Sequence, residues 1–181
     1  MARSEAVQLT IQPAEHWNFG KEFKIPYQKI VSLRVGKEEI FPQEVDDGPV
    51  SEREIVLPQS STARLILAAT EMQNSRRFNC HRFARTMAGE HDIFGYYETL
   101  APMSDDFCNR PRVGNLPAGA IGMVGAAGFG VMHSLVGLGE NIPESIQVMS
   151  GQGEFGIAKN EDVLDWYRSI CEDDEIYLRR Y

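Results

Sequence analysis

The sequence predicts an α+β fold: helices packed on an antiparallel sheet, preceded by an N-terminal β appendage. Three observations predict it. Helical spacing of apolar residues is confined to residues 61–87 and to a short stretch after Asn160. From Ala120 onward, apolar runs of strand length follow one another with turn residues between them. That is the order of a meander and not of alternating βαβ units. Residues 5–57 carry period-two alternation without a helical stripe.

Taken in order, Ala6-Val7-Gln8-Leu9-Thr10-Ile11 and Lys29-Ile30-Val31-Ser32-Leu33-Arg34-Val35 read as strands. Gly36-Lys37 and Asp46-Asp47-Gly48-Pro49 read as turns, and Ile55-Val56-Leu57 as a short apolar run. Residues 1–58 therefore form the β-rich appendage and residues 59–181 the main core. A helix begins after Ser60-Ser61-Thr62, whose hydroxyls can cap it, and buries Leu65, Ile66, Ala69 and Met72. Asn79 caps a second helix from Cys80 to Met87, which buries Phe83, Ala84 and Met87 and ends at Gly89. Residues 90–117 read as a long connection with an aromatic cluster of Phe94, Tyr96 and Tyr97. Strands follow at 120–124, 131–138, 145–149 and 155–157, with Gly125 to Gly130 as a hairpin connection. Asn160-Glu161-Asp162 caps a brief helix, and residues 175–180 close the sheet.

The 181 residues suffice for a core that needs no disulfide or metal. A formal net charge of −8 argues against nonspecific binding to nucleic acid or anionic membranes, so neither is expected as a partner. The three cysteines are widely spaced and form no CxxC pair. That count suits a reducing compartment, or one special thiol with two structural ones. Without an apolar signal region at Met1 to Glu5, the expected location is cytoplasmic, or exported with the signal peptide absent from the chain.

Two positions carry the chemistry. Cys80 opens a helix, where unpaired amides and the helix dipole stabilise a thiolate and where its own N–H can meet an oxyanion. Asn79 can assist as a second oxyanion donor. His133 lies in the apolar run Val131-Met132-His133-Ser134-Leu135-Val136. If residues 131, 133 and 135 share a face, its imidazole can act as base to the thiol. Gln147, a polar residue inside the next strand, is the choice to orient that ring. His81 adjoins Cys80 but points about 100° away on a helix, so it is assigned with Tyr96 and Tyr97 to the substrate groove. Cys80, His81, His91, Cys108 and His133 match no zinc spacing, so neither metal nor other cofactor is expected. An inert buried cysteine and a satisfied core histidine are the plain alternatives.

These elements resemble the NlpC/P60-type branch of the papain-like cysteine hydrolases. Asn79-Cys80 resembles the Asp-Cys helix start of that family, with Asn in place of Asp. Leu116 to Gly122 is similar to its Gly-Asp strand, with Ala120 where Asp is common. His133-Ser134-Leu135-Val136-Gly137-Leu138-Gly139 resembles its histidine strand, and Ile146 to Gly151 the strand after it. The likeness covers roughly residues 61–158. It implies a papain-like core over 59–181 and attack by Cys80 on an amide or ester carbonyl, through a thioester acyl-enzyme. A peptide or other amide would be the substrate. Two rivals stand beside this thiol hydrolase: a catalytically inactive binding module, and an acyltransferase using the same dyad.

Overall fold

The computed structural model describes residues 3–14, 25–40, 43, 45–74, 78–90, 107–149 and 154–181. Its body is one antiparallel sheet. The strands are β1 (Ser4–Ala14), β2 (Tyr27–Val35), β3 (Glu38–Ile40), β4 (Ser51–Pro58), β5 (Ile121–Ala126), β6 (Gly130–Gly137), β7 (Glu144–Met149), β8 (Glu154–Lys159) and β9 (Tyr177–Arg180). They run in the order β4-β1-β2-β8-β7-β6-β5-β9, with β3 paired to β2. The helices are α1 (Gln59–Asn74), α2 (Cys80–Met87) and α3 (Asn160–Cys171), and a 3-10 turn spans Phe107–Asn109. None of the described helices is long and apolar enough to cross a membrane.

This architecture corrects the expected one. Strand makes up 43% of the structure against 27% helix, in a curled sheet, so the molecule is not a papain-like core of helices on a small sheet. Nor is the N-terminal β region an appendage. β2 pairs directly with β8 through Tyr27↔Ala158, Gln28↔Ile157 and Lys29↔Gly156, and β1 and β4 extend the same sheet beyond it. The physical reason lies in what period-two alternation records. It reports which residues of a strand face inward, not which strand lies beside it. Val7, Leu9 and Ile11 face inward as their spacing requires, but into the core that also holds α1 and α2.

Both faces of the sheet are covered. On one, Leu65, Ala68, Ala69 and Met72 of α1 and Phe83, Ala84 and Met87 of α2 pack on Val7, Leu9, Ile30, Leu33, Met123, Val136, Ile146, Val148 and Phe155. Phe83 meets Phe155 edge to face at 5.5 Å between centroids, a contact worth about 1 kcal/mol beyond its burial. On the other face, Val163, Leu164, Trp166 and Tyr167 of α3 pack on Tyr27, Val124, Leu135, Ala158 and Leu178. Glu161 and Asp162 sit in the first turn of α3, where the helix dipole favours them. Asn160 is turned inward instead of capping that helix. It accepts from Ser145 Oγ at 2.5 Å and donates to the Gly114 carbonyl at 3.2 Å.

Helix α1 starts at Gln59, so Ser60 to Thr62 form its first turn and do not precede it. Thr62 Oγ1 reaches the Pro58 carbonyl at 3.4 Å. Between Gly119 and Gly139 the chain presses backbone against backbone. A Cβ on Gly137 would stand 2.3 Å from Leu116 Cβ and 2.5 Å from the Pro117 carbonyl oxygen.

Gly137→Ala should therefore destabilise the fold by about 2 kcal/mol or more, because backbone cannot yield as a side chain does. Gly128→Ala, at a hairpin tip with nothing within 4 Å, should stay within about 0.5 kcal/mol of the parent. Urea unfolding midpoints of the two variants would check this; equal midpoints would show that the 116–117 segment moves freely.

Candidate functional site

Helix α2 begins where the sequence places it. Asn79 is extended (φ −122°, ψ 176°), and its Oδ1 accepts from the Arg82 N–H at 2.9 Å. That oxygen serves the helix cap, a contribution of about 1 kcal/mol. One residue on, the Cys80 sulfur lies near the backbone amides of Ser134 and His81 and its own, which act to lower its thiol. Those amides favour a thiolate, but the residue is only 3% exposed. Burial outweighs the amides and pushes the thiol up to about 11.

His81 is buried beside it, and its Nδ1 lies 2.8 Å from Ser134 Oγ. Burial holds its imidazole down to about 4. Ser134 thus meets both residues at the start of α2, through its amide and through its hydroxyl. The sequence reading assigns Ser134 no role. Its signal was a hydroxyl in an otherwise apolar strand, which wants a partner.

His133 points the other way. Its ring lies 5.7 Å from that of Tyr167 on α3, and its Nε2 is 2.9 Å from Gln147 Oε1. A carboxamide oxygen only accepts, so with that oxygen toward the ring Nε2 is the donor of the pair. Burial, with a smaller effect of His81, holds this imidazole down to about 4 against the opposing bond to Gln147. The expected partnership of His133 with Gln147 is therefore in place. Gln147 Nε2, also buried, has no acceptor among the described residues. Cys80 opens α2, which packs on one face of the sheet, while the His133 ring lies against Tyr167 of α3 on the other.

A β-bulge explains the difference. Val124 pairs with His133 and Gly125 with Val131, so Met132 is an extra residue on β6. Val131 faces the α1 and α2 core, while Met132 and Leu135 pack on the α3 side. Residues 131 and 133 would share a face in a regular strand; the inserted residue separates them. A signal for it is present in the sequence, because a glycine within a strand marks bulges and close backbone approach. At Gly125 a Cβ would stand 2.1 Å from the Gly130 carbonyl oxygen.

The remaining candidates are dispersed. Tyr96 and Tyr97 lie outside the described residues, as do His91 and Phe94. Cys108 is exposed. Cys171 is partly buried, with its sulfur 3.6 Å from Met132 Sδ, and its thiol is raised by burial and then by Asp173. No cluster of three or more His, Cys, Asp or Glu among the described residues could hold a metal ion.

The two buried imidazoles make stability depend on pH. Each is lowered in the folded state from an ordinary value of 6.5 to about 4, so between those values the unfolded chain binds more protons. Their contribution is complete above pH 6.5 and is lost as pH falls toward 4. It amounts to about 3 kcal/mol per histidine. Urea unfolding at pH 7.5, 6, 5 and 4 should show this decline, and His133→Gln should flatten it. A stability independent of pH over that range would mean that the rings titrate normally.

No family model, no curated protein and no solved structure matches this chain, so its reading rests on the geometry of the site.

Proposed function

We propose that the chain is a catalytically inactive binding module, in which the cysteine and histidine clusters hold helices to the sheet. One observation carries this reading. The nucleophile expected from the sequence and the base expected for it occupy opposite faces of β6. The protonation states agree. Burial raises the Cys80 thiol to about 11 and holds both imidazoles down to about 4, so it favours the neutral thiol and neutral rings over an ion pair in this conformation. Cys80, His81 and Ser134 then act as a polar joint between α2 and β6, and His133 with Gln147 as a second joint beneath α3.

A second reading is a thiol hydrolase that attacks a peptide or other amide through Cys80. It is favoured by the place of Cys80 at the first position of α2 behind the Asn79 cap, where backbone amides lower its thiol against burial. The resemblance of Asn79-Cys80 and His133 to Gly139 to NlpC/P60 hydrolases points the same way. Transfer to an amine acceptor would use the same acyl-enzyme.

Iodoacetamide labelling of the native protein, followed by peptide mapping, separates the readings. For a structural Cys80, labelling at pH 8 should run roughly 100-fold slower than at exposed Cys108, as expected for a thiol raised to about 11, and equalise in urea. Labelling of Cys80 faster than Cys108 below pH 7 would overturn the binding-module reading. So would peptidase or amidase activity that Cys80→Ser removes and Cys108→Ser retains.

A further inference from the structure

We propose that the far half of the β7–β8 pair, residues 147–149 and 154–155, opens as a unit from an otherwise folded sheet, and that Gln43 is the clasp that holds it shut. The inference goes beyond either functional reading, because it concerns how the sheet yields and not what the chain binds or cleaves.

The ladders of the sheet are unevenly spread. β7 and β8 pair with each other along their whole length, from Glu144↔Lys159 to Met149↔Glu154. Outward from that pair, β7 meets β6 only through Val136↔Ile146 and Gly137↔Ser145. β8 meets β2 only through Tyr27↔Ala158, Gln28↔Ile157 and Lys29↔Gly156. The backbone ties to both neighbours therefore lie at one end of the pair. Beyond them, no ladder among the described strands joins β7 to β6 or β8 to β2. Side chains strengthen that same near end. Ser145 Oγ donates to Asn160 Oδ1, Asn160 donates to the Gly114 carbonyl, and Arg53 joins Glu144 and Gln28, each at 2.6 Å.

The far end is held differently. On the β2 side, Gln43 presents its carboxamide as a backbone group would. Its Oε1 accepts from the Phe155 N–H at 2.8 Å, and its Nε2 donates to the Phe155 carbonyl and, at 2.5 Å, to the Ile30 carbonyl. One side chain thus stands in for the missing ladder between β2 and β8. The Tyr27 hydroxyl donates to Glu154 on the same side. On the β6 side, the tie is the hydrogen bond between His133 and Gln147 at 2.9 Å. Val148 and Phe155, both fully buried, form the apolar seal, with Phe155 against Phe83 of α2. A segment held by a few side-chain bonds and a small apolar seal opens below the free energy of global unfolding. The movement parts Gln147 from His133 and Phe155 from Phe83. It admits solvent between the two helical layers while β1, β4 and the near end stay paired.

Thiol labelling of the native protein tests this. Val148→Cys and Val7→Cys, both at fully buried valines, are labelled under conditions in which the rate follows the open population, with peptide mapping and a series of urea concentrations below the unfolding transition. The thiol at position 148 should label about tenfold faster than that at position 7, or more, and with a shallower urea dependence. Gln43→Ala should speed labelling at 148 by roughly tenfold, because its hydrogen bonds are lost in the open form. Ile55→Val, on β4, should speed labelling at 7 and leave 148 unchanged, because its contacts survive the opening. Equal rates and equal urea dependence at 148 and 7 overturn the inference, and so does a rate at 148 that Gln43→Ala leaves unchanged. If Val148→Cys does not fold, hydrogen exchange of the wild-type Phe155 amide decides. A urea dependence well below that of global unfolding supports the opening; one equal to it overturns it.

Discussion

Side chains on a strand must leave by one of two faces, and β6 buries polar groups on both. Toward α2 it presents Ser134, whose hydroxyl meets His81 and whose amide lies near the Cys80 sulfur. Toward α3 it presents His133, which is held by Gln147 and lies against Tyr167. Ordinary alternation of neighbours sets this division, and the bulge at Met132 removes Val131 from the His133 face. Both helical layers are therefore registered against the same few residues. A one-residue slip of β6 would expose apolar side chains and also exchange the partners of two buried imidazoles. Each layer limits the movement of the other through a strand that neither can shift alone.

Most of the elements are legible in the sequence because several local signals agree. Asn79 as cap, Phe83, Ala84 and Met87 at helical spacing and Gly89 past the end all state the same short helix, and it is found. Strands β1, β2 and β5 to β9 follow their apolar runs to within a few residues. The neighbours of those strands are not legible. Nothing in Tyr27 to Lys29 announces pairing with Gly156 to Ala158, some 130 residues away, because a ladder is made of backbone groups that every residue has. The expectation of an appendage and a separate papain-like core fails at that point.

At the site, composition is readable and orientation is not. Cys80, His133 and Gln147 stand out as polar groups in apolar company, and each is buried as that company suggests. The facing of His133 hinges on one inserted residue, and an alternating pattern counted through Met132 puts the imidazole on the wrong side. His81 shows the converse. The 100° turn between neighbours on a helix reads as pointing away from Cys80, yet α2 lies on β6 so that both residues reach Ser134. A helix position defines direction only relative to its own axis, and the docking of that axis is a tertiary fact.

The two ends of the sheet differ in how they are finished. Outside β9, residues 111–113 run alongside it. Val113 donates its N–H to the Leu178 carbonyl and Arg180 to the Pro111 carbonyl, and Arg112 stacks on Tyr177 at 3.6 Å. The last strand thus has its open hydrogen-bonding positions occupied. At the opposite end, β4 pairs only with β1 among the described strands. Among the described residues, a strand added from another chain would find unpaired backbone groups along β4 and occupied ones along β9, so the two ends cannot both propagate such growth in the same way.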